Sequence, residues 1–214
     1  MASIERYSSS DLHALSERAR ALLQRGGLVA FPTETFYGLG VNPFDEQAVD
    51  RLLRVKGRED HKPILVLIGS VAQLSSLVQD VPPVATILIE AFWPGPLTIL
   101  LPALPSLPHN LTAGTGTVGI RLSSCDPLTA LLRLVGPVTG TSANCAGQPP
   151  ACTAQLVEQE LGREIDLILD GGPTAGGPPS TVLDVRRPVR IIREGAVTRQ
   201  TIENVLETHG ISLV

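Results

Sequence analysis

Four short segments of this chain carry side chains whose types and spacing could do chemistry. Phe31-Pro-Thr-Glu-Thr-Phe-Tyr-Gly-Leu-Gly40 ends an apolar run at a proline and then offers hydroxyls and a carboxylate before two glycines. Loops that leave strand ends are the usual ligand site of α/β sheets. The same residues would equally make a plain turn in which Thr33 or Thr35 bonds nearby backbone. Lys56-Gly-Arg58, followed by Lys62-Pro, sets cations around a glycine at the end of a helical pattern. That suits a phosphate clamp, with a planar fork from Arg58 and a point charge from Lys56. It also suits ordinary cations that favour a helix dipole. Gly140-Thr-Ser142-Ala-Asn144 offers small polar groups that can meet a ligand without filling its pocket, or an Asx turn or helix cap. Arg121 stands alone in the apolar run Val118–Leu122. Facing inward it needs an anion, either an internal Asp or Glu or the carboxylate of a ligand.

Other chemistries are weakened by the same reading. Gly114-Thr-Gly116-Thr-Val-Gly119 matches GxGxxG, but the following residues continue as a strand. A dinucleotide fingerprint must open a helix whose N-terminus holds pyrophosphate. Cys125, Cys145 and Cys152 show no CxxC spacing, and His13, His61, His109 and His209 show no HExxH spacing. Neither a disulfide framework nor a metal site of His and Cys is proposed, and the thiols read as reduced. Net charge is −4 and aromatic residues are 3 % of the chain. Both weigh against a base-stacking platform or a basic groove for nucleic acid, leaving weak RNA binding as a secondary expectation. The N-terminal residues have no apolar signal region and no apolar run reaches membrane-spanning length, so the expectation is a cytoplasmic protein with no membrane partner.

The elements that must position these segments alternate along the chain. Helical periodicity is predicted over 11–25, with Ser10 as N-cap and Gly26 at its end, and over 45–55, 71–78, 83–92, 126–134, 153–161 and 200–208. Strands are predicted at 28–31, 64–68, 97–101, 118–122, 138–140, 167–169, 181–185 and 189–193, the last two joined by a turn. At 214 residues with 43 % apolar content, this is one α/β domain, 1–214, with an aliphatic core. Uninterrupted runs such as Ile64–Ile68 suit strands covered on both faces. The Gly/Pro-rich stretch 171–180 has the composition of a mobile loop.

Taken together, PTETFYGLG (32–40), KGR with KPI (56–64), WPGPLT (93–98), VGIRL (118–122), GTSAN (140–144), DGG (170–172), STVLDV (180–185) and IIREGAV (191–197) resemble the YrdC/TsaC-type threonylcarbamoyl-AMP synthase family, in the family's order and over nearly the whole chain. The resemblance implies a twisted, mostly buried mixed sheet flanked by helices, with a large concave site. It implies that Lys56 and Arg58 serve catalysis and, with Thr117, Ser142, Asn144 and Arg193, hold ATP. It implies that Thr33, Lys62, Arg121 and Ser180 hold threonine, Arg121 taking the carboxylate. L-threonine, bicarbonate and ATP would be joined, with Mg2+ accompanying the ATP, and the product would pass to a tRNA threonylcarbamoyltransferase complex. Two departures stand out: Glu59 where the family often has proline, and Ala146 where it often has serine. The sequence resembles the single-domain form. One rival is a carbamoyl-adenylate-forming relative from hydrogenase maturation, whose zinc-finger and acylphosphatase segments are missing here. The other is a non-catalytic RNA-binding module, against which the acidic charge counts.

Overall fold

A computed structural model describes residues 2–7, 12–57, 63–186 and 188–214. In chain order the first half runs β1 (Ser3–Arg6), α1 (Leu12–Leu23), β2 (Val29–Pro32), β3 (Tyr37–Gly40), α2 (Glu46–Lys56), β4 (Leu65–Ile68), a 3-10 turn (Val71–Ser76), α3 (Pro83–Phe92) and β5 (Leu97–Pro102). The second half runs α4 (His109–Thr112), β6 (Thr117–Leu122), α5 (Asp126–Val135), β7 (Val138–Thr139), β8 (Thr141–Ser142) and α6 (Ala154–Leu161). It closes with β9 (Leu167–Asp170), β10 (Thr181–Asp184), β11 (Arg190–Arg193) and α7 (Arg199–Glu207). Ser10, the N-cap expected for α1, lies outside the described residues.

The sequence predicts one sheet, whereas the described strands form two mixed sheets flanked by helices. The first has the order β1-β9-β2-β3-β8, and the second β11-β10-β5-β6-β4-β7. The division turns on Gly140. β7 pairs with β4 in the second sheet and β8 pairs with β3 in the first, so the chain passes between sheets at this one residue. A Cβ there would lie 2.8 Å from Leu67 Cδ1, which leaves room only for glycine at the crossing.

Period-two alternation sets what each strand face meets. In β2, Val29 and Phe31 pack with α1 and α5, while Ala30 joins the larger core on the other side. In β4, Val66 and Ile68 enter that larger core, while on the other face Leu67 packs in the smaller one and, with Leu65, borders a cavity, so the expected cover on both faces is only partial. β5 and β6 are different. Leu97, Ile99 and Leu101, with Val118, Ile120 and Leu122, face the core. Their alternates Thr98, Leu100, Gly119 and Arg121 face a cavity. Helices cap as their residues dictate. The Asp45 carboxylate accepts from the Gln47 and Ala48 amides at 3.0 and 3.1 Å at the start of α2, and Gly57 ends that helix in the left-handed region at φ 58°. The β10–β11 hairpin is tied by buried Asp184, which takes a forked contact from Arg186.

β3 is hidden in the sequence because it reads Tyr-Gly-Leu-Gly. Its glycines are there for space. The Phe31 ring of β2 lies flat across this strand, and a Cβ would come within 2.6 Å of it at Gly38 and 2.9 Å at Gly40. At Gly40 the Cβ would also lie 2.5 Å from the Thr139 carbonyl oxygen. Gly40→Ala therefore has backbone and a packed ring to displace. Overpacking of this kind costs roughly 1–3 kcal/mol, which lowers a melting temperature by about 3–10 °C at this chain length. Calorimetric melting of the variant checks this; an unchanged transition would mean that β3 does not need its glycines.

Candidate functional site

The uncovered face of the second sheet forms the floor of a cavity of about 640 Å3. The facing wall comes from the first sheet and its loops: Thr33, Thr35, Phe36 and Tyr37 on one side, Thr141 and Ser142 on the other. Gly177, Pro179 and Ser180 line the cavity as well. Of the residues singled out from the sequence, Thr33, Arg121, Ser142, Ser180 and Arg193 come together on this lining. Lys56, Thr117 and Asn144 are buried and are not part of this lining. Arg58 and Lys62 lie outside the described residues. The GxGxxG match leads into β6, a strand, in agreement with its rejection as a dinucleotide motif.

Arg121 is 5 % exposed, and its anion is internal. One nitrogen pairs with the Glu34 carboxylate, while Nε donates to the Gly95 carbonyl at 3.1 Å. The Ser123 hydroxyl donates to the other Glu34 oxygen at 2.5 Å. Burial by itself would raise the Glu34 pKa. The Arg121 charge and the Ser123 hydrogen bond outweigh it and hold the carboxyl below its usual range, so Glu34 is ionised at neutral pH. Sequence reading did not single out Glu34. The signal was present in Arg121 itself, since a lone guanidinium in an apolar strand requires an acid somewhere in the fold.

Thr33 satisfies both of its sequence readings. Its hydroxyl donates to the Phe36 carbonyl at 2.7 Å and accepts from the Thr35 and Phe36 amides at 3.2 Å, a local turn, and the turn sits on the cavity wall. Tyr37, also overlooked, is fully buried and lines the cavity. Its hydroxyl donates to Gly172 O at 2.8 Å and stays protonated, its pKa pushed up to about 12 by burial and by the Asp170 carboxylate. This bond and Gly176 N to Thr35 O at 2.7 Å fasten the Gly/Pro-rich stretch along the 33–37 segment, and Thr174 N to Cys152 O at 2.9 Å ties it to the residues before α6. Ser180 hydrogen-bonds Thr98 through their hydroxyls at 3.0 Å. Arg193 donates to the Ser180 carbonyl at 2.7 Å.

Lys56 differs from a surface helix-end cation. It is 6 % exposed, and its ammonium donates to Ser142 O at 2.5 Å, to Asn144 O and to Asn144 Oδ1 at 3.1 Å. Its own carbonyl accepts from Ala146 N at 3.1 Å. The Asn144 amide nitrogen in turn donates to Cys145 O and Gln148 O. Lys56 and Asn144 thus shape the 140–148 loop from beneath and present Ser142 to the cavity. Thr117 shares the cavity-facing side of β6 but pairs with Thr115 through their hydroxyls at 2.9 Å. Among the described residues no three His, Cys, Asp or Glu side chains gather to hold a metal ion.

The family model described as "Telomere recombination", the Sua5/YciO/YrdC domain, matches residues 21–195. The chain belongs to the Sua5/YciO/YrdC family. It is similar to a threonylcarbamoyl-AMP synthase of Pyrococcus abyssi, 39 % identical over 190 residues, covering 88 % of this chain and 56 % of that protein. A threonylcarbamoyl-AMP synthase of Pseudomonas aeruginosa is 38 % identical over 167 residues, covering 78 % of this chain and 90 % of that one. The crystal structure of P. abyssi Sua5 complexed with L-threonine superposes with a TM-score of 0.89 at 35 % identity, covering 100 % of this chain and 62 % of that one. The chain therefore spans little more than half the length of the Pyrococcus relative. No helix among the described residues is long and apolar enough to cross a membrane.

Two outcomes follow from this geometry. Lys56→Met removes a buried charge and leaves loop carbonyls without a donor. It should lower stability by about 1.5–3 kcal/mol, where an exposed cation would cost well under about 1 kcal/mol. Thermal melting decides, and an unshifted transition would refute the buried role. The second concerns pH. Glu34 and Asp184 both have folded pKa values below their unfolded ones, the Asp184 carboxyl being held down by its hydrogen bonds to Arg186 and Arg190 against the raising effect of burial. The folded state therefore binds fewer protons. The stability this gives is present above about pH 4 and is lost as pH falls through the folded values. Melting temperature should drop steeply in that acid range. Glu34→Gln should flatten part of the drop; a profile identical to the parent's would contradict the assignment.

Proposed function

We propose that this chain is an L-threonylcarbamoyladenylate synthase, a nucleotidyltransferase that joins L-threonine, bicarbonate or CO2, and ATP. The reading is carried by one observation: a buried guanidinium, Arg121, on the floor of a cavity it shares with Thr33 and Ser180. Support comes from relatives named threonylcarbamoyl-AMP synthase and from a fold matching that of a protein crystallised with L-threonine. A zwitterionic amino acid brings a carboxylate for Arg121, and the small polar groups of Thr33, Thr98 and Ser180 suit a hydroxyl.

Each reactant is held by residues from both sheets. Threonine's neutral amine adds to the carbon of CO2, forming the N–C bond and releasing a proton. A carbamate oxygen of the product attacks the α-phosphorus of ATP, and the bond to the β-phosphate oxygen breaks as pyrophosphate leaves. The chain's part is to hold the two reactants in line and to neutralise phosphate charge. Such positioning can lower a barrier by up to about 7–11 kcal/mol without a protein nucleophile. Ser142, presented by Lys56 and Asn144, and Arg193 are assigned to the nucleotide side, with Arg58 as the guanidinium of the phosphate clamp and Lys62 on the threonine side. Mg2+ bound to ATP would supply further charge neutralisation. The product, an acyl-adenylate analogue, would be consumed by a tRNA threonylcarbamoyltransferase complex modifying adenosine, which fits a cytoplasmic setting.

The attacking oxygen exists only after threonine and bicarbonate have combined. Pyrophosphate release from ATP should thus require both together, and mass spectrometry should find labelled threonine in the adenylate. Equal release without threonine would identify an ordinary ATPase and overturn the reading.

A further inference from the structure

The Arg121–Glu34 pair raises a question that the threonine reading leaves open: the cation assigned to the substrate carboxylate already has a carboxylate of the protein on it. The contacts are directional. A guanidinium has five N–H donors in a fixed plane. Two of its nitrogens are engaged, Nε by Gly95 O at 3.1 Å and Nη2 by Glu34. Among the described residues Nη1 has no hydrogen-bond partner, and Arg121 lines the cavity. Guanidinium donors left open in this way can bind a second carboxylate.

Glu34 is itself held. Ser123 donates to one of its oxygens at 2.5 Å, and the Ser124 amide lies 3.5 Å from the other. One carboxylate thereby ties the loop carrying Thr33 to the end of the strand carrying Arg121. A buried ion pair is a poor device for stability alone, because desolvation offsets most of the attraction. It is a good device for fixing a direction. Building on the reading that Arg121 takes the carboxylate of threonine, we propose that Glu34 is a positioning residue: it grips Arg121 at Nη2 so that the remaining N–H donors stay aimed into the cavity for the substrate carboxylate. Glu34 is not among the cavity-lining residues and does not touch the substrate in this arrangement. The opposite role, a competitor that the substrate must displace, makes the reverse prediction for affinity.

Calorimetric titration of the whole chain with L-threonine, and separately with ATP, separates these. Glu34→Gln keeps the shape and removes the charge. It should bind threonine about tenfold or more weakly, each decade being about 1.4 kcal/mol, while ATP affinity stays within about twofold. Glu34→Asp should recover part of the loss. In an Arg121→Ala background, adding Glu34→Gln should change nothing further, because the effect passes through Arg121. Ser123→Ala leaves both charges and removes one hydrogen bond from Glu34. It should show a smaller loss of the same selectivity, and it decides the matter if Glu34→Gln does not fold. Unchanged or tighter threonine binding in the Glu34 or Ser123 variant, with Arg121→Ala impaired, overturns the positioning role alone. Normal threonine binding by Arg121→Ala overturns the carboxylate reading and the proposal with it. Parallel losses for threonine and ATP would mark a merely structural residue and overturn the proposal as well.

Discussion

A guanidinium in the middle of an apolar strand has to be neutralised, and that requirement organises one end of the cavity. Arg121 cannot turn into the core, because Val118, Ile120 and Leu122 occupy that side of β6. It must face the uncovered side, where only a polar neighbourhood can receive it. Glu34 supplies the charge, Gly95 a carbonyl and Ser123 a second anchor for the acid. The 33–36 turn is thereby drawn against the end of β6. The Gly/Pro-rich stretch is fastened to that turn by backbone hydrogen bonds at Thr35 and by the Tyr37 hydroxyl. An ion pair, a turn and a strap thus form one connected assembly, each part located by the one before.

The other end rests on a second buried cation. Lys56 is held among carbonyls of the 140–148 loop, whose dipoles receive its charge. The sequence reading of this lysine as a phosphate ligand and the structural finding of a loop organiser address the same outcome by different routes. The loop that carries Ser142 has its shape only with the ammonium beneath it. Asn144 works likewise, its amide nitrogen bonding within the loop and its amide oxygen accepting from Lys56.

Much of this was legible in the sequence, and the rest was not for physical reasons. Helices with strong periodicity, such as 83–92, fall at the predicted residues. Apolar runs became strands, and the lone Arg121 announced a buried anion. The two-sheet arrangement stayed hidden because its deciding strands, β7 and β8, have two residues each: β7 falls in a predicted strand, but β8 follows Gly140 at once, inside a motif that reads as a loop. β3 was masked by glycines that exist to admit the Phe31 ring. The segment predicted as a helix near 71–78 is a 3-10 turn of Val71–Ser76. Lys56 looked exposed because its partners lie 86 and 88 residues further along the chain, beyond the reach of any local pattern.

The crossing at Gly140 joins two sheets that contribute opposite walls of one cavity. Ser142 belongs to the first sheet and Arg121 to the second. A molecule that touches both therefore spans the seam like a calliper between its jaws. Its fit depends on the spacing of whole layers, which core packing sets far from the site. A methyl group added or removed between the layers would be read out at the cavity as a change in gap, with every contact residue left intact.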